Sequence, residues 1–181
     1  MILSSRIGRD RKGFASVTFL VLLLAIMAVG SLLADVAQLY AVKIAARHYL
    51  NLSLRAAAGQ LSLDDLKDNR IVIDEPAARD RFYEVLRANF KLDGTNHPLP
   101  GSLVDGPVEV CYFRVVNSDM LPFSYTYGSY SETITRPAVT GIIRFPVKVS
   151  FWGRIVSSGV PDSTDMYVHS TVAPELIAEH L

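Results

Sequence analysis

The chain has 181 residues, with 18 Lys and Arg against 18 Asp and Glu, so its formal net charge is zero. Nothing global therefore favours nucleic acid, and one cysteine, Cys111, excludes an intrachain disulfide. Half of the residues are hydrophobic, and the excess sits at the front; the roughly 120 residues beyond the first helix suffice for one modest core.

Residues 1–13 read as a basic leader: Arg6, Arg9, Arg11 and Lys12 are offset only by Asp10. From Phe14 to Ala34 there are 21 residues without a charge, 12 of them Phe, Val, Leu or Ile. As a helix this run spans about 31 Å, the thickness of a hydrocarbon core. Those 12 side chains favour insertion by about 4–7 kcal/mol. Ser16, Thr18 and Ser31 subtract little, because their hydroxyls can bond back to the preceding turn. Asp35 follows, and the next cation is Lys43. The charge asymmetry predicts a single-pass span over 14–34, with a cytoplasmic N-terminus and an extracytoplasmic or surface domain. Cleavage of a secretory signal at Ala28-x-Gly30 or Leu32-x-Ala34 is the rival reading. The run is longer than the 7–15 apolar residues usual in such signals.

Residues 35–62 read as an extension of the same helix. Leu39, Val42, Ala46, Leu50, Leu54, Ala57 and Leu61 recur at three- and four-residue steps and form an apolar stripe. Lys43, Arg47, Asn51 and Arg55 form a polar stripe on another face. No proline interrupts the stretch from Phe14 to Leu61, so it is predicted to be one rod of about 72 Å.

The stretch Arg11-Lys12-Gly13-Phe14-Ala15-Ser16-Val17-Thr18-Phe19, the Leu-rich run after it, and Ala34-Asp35-Val36-Ala37-Gln38-Leu39-Tyr40-Ala41-Val42-Lys43 resemble the TadE/TadG-like, pilin-like (pseudopilin) proteins of tight-adherence (Flp) pilus systems. The match covers about 50 residues, under a third of the chain. The resemblance implies a non-enzymatic subunit of a type IV-like pilus or secretion apparatus, with other pilin-like subunits and the assembly machinery as partners. It also implies a prepilin-peptidase junction at Gly13 and Phe14. Pilins usually carry Glu at the fifth mature position, where it pairs with a neighbour's N-terminal amine; Thr18 stands there, and a hydroxyl cannot neutralise a buried ammonium. Two alternatives follow: a minor, tip-like or anchored subunit, or a Gly13 that is a flexible residue at the membrane edge. A permanently anchored extracytoplasmic binding or scaffold protein is the reading from another class.

Residues 63–181 are predicted to form one extracytoplasmic α+β domain. Ser62-Leu63-Asp64-Asp65 is a capping start for a short helix ending near Asn69. Ile71–Ile73 is a candidate strand. Asp74-Glu75-Pro76 starts a helix with Phe82, Val85, Leu86 and Phe90 on one face, stopping before Asp93-Gly94. Asn96 to Pro107 reads as a loop. Val108 to Val116 reads as a strand with Val108, Val110, Tyr112 and Val116 on one side. Ala138 to Phe151 is strand-rich, with Pro146 at a bulge or an edge position. Trp152-Gly153 suggests a turn before Arg154 to Ser157, and Thr164 to Val172 is a last strand. The expected architecture is α+β: a long N-terminal helix packed on a small antiparallel sheet, pilin-like.

Asn117 to Arg136 carries Phe123, Tyr125, Tyr127 and Tyr130 among Ser and Thr. Tyrosine with Ser, Thr and Gly is an adaptable contact chemistry, so these four residues are a candidate contact loop for a neighbouring subunit, a surface or a glycan. An extended hairpin with its aromatics on one face is the alternative. For catalysis there is no GxSxG, HExxH, P-loop, GxGxxG or CxxC motif. His48, His97, His169 and His180 lack ligand spacing, the acidic pairs suit capping and turns, and Cys111 reads as a buried small residue. No catalytic residue, cofactor or metal is predicted.

Overall fold

A computed structural model describes residues 11–67, 70–148 and 163–175, with side chains from residue 15 onward. Helix α1, Arg11–Ala58, is a single unbroken rod of 48 residues. It ends three residues before the expected Leu61. Gly59 N–H still donates to Arg55 O at 3.1 Å, after which Leu61 leaves to bridge Ile73. Helix α2, Leu63–Lys67, starts where the capping pattern predicts: Ser62 Oγ accepts from Asp65 N–H at 3.4 Å and donates to the Asp65 carboxylate at 2.7 Å. Of Ile71–Ile73 only Ile73 joins a bridge. Its other side is held by the Asn117 amide, whose Oδ1 accepts from Ile73 N–H at 2.8 Å and whose Nδ2 donates to Ile73 O at 3.1 Å. A side chain therefore substitutes for the missing second strand.

Helix α3, Glu75–Phe90, has Asp74 as its N-cap, accepting from Ala77 N–H, and Lys91 in the left-handed region at its end. Ala78, Phe82, Leu86 and Phe90 are buried on one face, and Val85 is half-buried. Strands β1 (Glu109–Val116), β4 (Ala138–Lys148) and β5 (Ser163–Val172) form an antiparallel sheet in the order β1-β4-β5. Strands β2 (Phe123–Tyr127) and β3 (Tyr130–Ile134) form a separate hairpin, closed by Gly128 and Ser129, with Gly128 at φ 57°. The stretch from Asn117 to Arg136 is thus a hairpin and not an open loop. Pro146 lies where β4 has only β5 beside it, because the pairing with β1 stops at Glu109 and Arg144. That is the edge position expected for a residue without an N–H. Residues 1–10, Val149 to Phe151, the Trp152-Gly153 turn, the Arg154–Ser157 strand and His180 lie outside the described residues.

The fold is α+β in three layers. The outer half of α1 and all of α3 cover one face of the three-stranded sheet, and the hairpin covers the other. Leu50, Leu54, Phe82, Phe90, Ile143 and Phe145 are fully buried between helices and sheet. Tyr125, Ile134, Val116, Ala138 and Ile142 form a second, smaller core between sheet and hairpin. The two cores exist because β4 is apolar on both faces, Val139 and Ile143 turning to the helices and Ala138 and Ile142 to the hairpin.

Strand β1 corrects the expected alternation. Its register slips between Val110 and Tyr112, so Cys111 is the extra residue of a bulge. Val108 and Val110 face the helices, but Tyr112 and Val116 face the hairpin, and Phe113 and Val115 take over the helix side. A one-residue slip exchanges faces because the side-chain period is two. Cys111 is half-buried at this bulge, not enclosed in the core as its apolar neighbours suggested.

Candidate functional site

The first candidate is the N-terminal half of α1. Among the described residues its large apolar side chains are exposed: Phe19 is 67 % exposed and Leu33 is 65 % exposed. Burial begins at Leu39 and Val42, which are half-buried, and is complete at Ala46, Leu50 and Leu54. The stripe predicted from three- and four-residue spacing is therefore the packing stripe, and Lys43, Arg47 and Arg55 lie outside it and exposed. Such an apolar surface in water would be unfavourable by about 25 cal/mol per Å². The segment is long and apolar enough to cross a membrane, with a mean hydropathy of 2.7 over its most apolar window. Gly13 and Phe14 lie in the first helical turns, and Thr18 one turn further on.

The second candidate is the hairpin. Its aromatics turn toward the sheet. Tyr125 is buried, and Phe123, Tyr127 and Tyr130 are half-buried. Tyr125 stacks on Tyr112 with ring centroids 4.9 Å apart, and the Arg114 guanidinium lies 5.9 Å from the Phe123 ring. The Tyr130 hydroxyl donates to Tyr167 O at 3.1 Å.

Beneath the hairpin lies a polar network that no sequence spacing announces. The Tyr125 hydroxyl is 2.7 Å from Thr140 Oγ1, 2.6 Å from His169 Nε2 and 3.2 Å from the Glu132 carboxylate. Thr171 Oγ1 donates to the same carboxylate and lies 2.8 Å from Thr140 Oγ1. His169 Nε2 is 3.2 Å from Glu132 Oε2. Burial pushes the Tyr125 hydroxyl above its ordinary range, against hydrogen bonds from Thr140 and Thr171 that lower it. The three hydroxyls, His169 Nε2 and Glu132 Oε2 all bond to one another, so the chemistry is that of a latch between β2–β3 and β4–β5. His48 lies exposed on α1, and His97 sits in the turn after α3 beside Thr95. The structure therefore brings neither of them to His169.

No protein-family model, no curated protein and no solved structure matches the chain.

Proposed function

We propose that this protein is a non-enzymatic, pilin-like component of a tight-adherence (type IV-like) pilus or a related secretion apparatus. In this reading the N-terminus is cytoplasmic, residues 14–34 cross the membrane, and the domain lies outside. The observation that carries it is the continuity of α1: one helix, exposed and apolar over its first half and built into the domain core over its second. A simple anchor needs no such fusion. A subunit that leaves the bilayer to pack against its neighbours does, because the same apolar surface must serve lipid first and neighbouring helices afterwards while the domain keeps a fixed attitude. Helices associating in lipid rely on close packing and not on hydrophobic gain, and Ala15, Ala25, Ala28 and Gly30 keep parts of this surface thin.

Thr18 favours a second reading, a permanently anchored extracytoplasmic binding or scaffold protein, because no acid stands where pilins pair with the N-terminal amine. The N-terminus of the mature protein, made alongside its native peptidase, separates the two. A free or methylated Phe14 is the outcome expected of a processed subunit. An intact Met1 to Lys12 leaves only the anchored role, and a start near Ser31 or Asp35 overturns both by releasing the domain.

A further inference from the structure

One cleft beside the hairpin borders the latch at His169 but lies outside the apolar half of α1. Lys43 and Arg47, one turn apart on α1, line it with Tyr130, Tyr167, Val168 and His169, around a volume of about 170 Å³. Two cations at this spacing repel each other on a helix. Arg55, Arg79, Arg81 and Arg144 each pair with a carboxylate, yet among the described residues neither Lys43 nor Arg47 does. The lining contains no carboxylate. The nearest one in the network, Glu132, has its Oε2 engaged by Tyr125, Thr171 and His169. The cleft thus presents uncompensated positive charge in a space large enough for a phosphate group.

The approach to this cleft is apolar. At 100° per residue, Val29, Val36, Tyr40, Lys43 and Arg47 fall within about 60° of one another on α1. Val36 is 47 % exposed and Tyr40 66 %, and Ile44, beside them, is 66 % exposed. An exposed apolar track therefore runs from the candidate membrane span directly to the two cations. Lys43 lies nine residues beyond Ala34, about 14 Å along the axis. Its side chain leans back toward the helix N-terminus, toward a headgroup layer roughly 5–8 Å deep. Tyr40 sits between, where interfacial aromatics are favoured. An amphiphile with a chain along the track and an anion at its end fits both parts.

We propose that the Lys43–Arg47 cleft binds a phosphate monoanion, carried by the headgroup of an anionic phospholipid. The inference rests on the membrane reading above. The test is native mass spectrometry of the full chain in detergent with added phosphatidylglycerol or phosphatidylcholine, whose choline offsets the phosphate charge. Two cations near a headgroup predict roughly 30-fold greater retention of phosphatidylglycerol. The Lys43→Gln/Arg47→Gln variant, altered only at exposed positions and expected to melt where the parent does, should lose that preference. Equal retention of the two lipids by the parent, or an unchanged preference in the variant, overturns the proposal. Displacement by millimolar inorganic phosphate would reassign the site to free phosphate and overturn the lipid assignment. Incorporation of the same protein into neutral vesicles separates the two levels. Insertion without lipid preference defeats this proposal and leaves anchoring intact, whereas failure to insert defeats the anchoring itself and the lipid site with it.

Discussion

Tyr125 shows how much one hydroxyl holds in this fold. Its ring closes the smaller core, and its oxygen reaches side chains on β3, β4 and β5. Tyr125→Phe keeps the packing and removes the hydroxyl from Thr140, His169 and Glu132. A buried polar group deprived of its partner costs about 1–3 kcal/mol, so the midpoint of urea unfolding should fall by a corresponding amount with an unchanged slope. Asp93 makes a separate, exposed turn. His97 N–H, Thr95 Oγ1 and Thr95 N–H donate to its carboxylate, and these bonds hold its pKa below the ordinary value. The sign follows: the contribution is complete above the unfolded value of about 3.9 and is lost as pH falls through the lower folded value. Amide exchange at Thr95 and His97, corrected for the intrinsic pH dependence, should therefore rise at acid pH in the parent. In Asp93→Asn that acid-dependent step should be absent.

At the scale of elements, the Cys111 bulge decides which side chains reach which core. Deleting Cys111 would set Val110 directly before Tyr112, opposite the consecutive partners Ile143 and Ile142, and would keep Val108 and Val110 toward the helices. That deletion and Cys111→Ser both leave Val108 buried, so each should cost less than the about 1.5–3 kcal/mol of exposing a buried valine; denaturant midpoints of the two variants check this. This bulge also marks where reading the residues falls short. α1 and α3 are legible because a 3.6-residue period over many turns, an N-cap at Asp74 and Pro76 in the first turn all agree. A bulge needs no distinctive residue, so Val108 to Val116 reads as plain alternation until the partner strand reveals the slip. The Gly128-Ser129 pair was an available hairpin signal, but the Tyr-rich composition around it suited a contact loop equally well. The latch was illegible for a different reason: Tyr125, Glu132, Thr140, His169 and Thr171 meet only through the register of two sheets.

At the scale of the whole molecule, one helix is exposed over its first half and buried over its second. Leu24 lies midway along the 14–34 run and is 57 % exposed. Leu24→Arg places a charge at the centre of the span, at a cost of about 2.5–3.5 kcal/mol. The variant should shift from the membrane pellet to the alkaline-carbonate supernatant, with the thermal unfolding of its domain unchanged. The apolar helix and its extension were legible from charge-free length and unbroken periodicity. That the outer half becomes the central strut of the domain depended on Leu50 and Leu54 meeting the sheet and α3. This strut has a consequence for release of the domain from the exposed apolar half of α1. A protease cutting within Ala46–Ala58 would cut through the core, and the fragment shed would be unfolded. A cut that frees an intact domain has to fall ahead of Ala46, the first fully buried residue. The helix thereby confines any folded, shed form of this protein to species that begin ahead of Ala46.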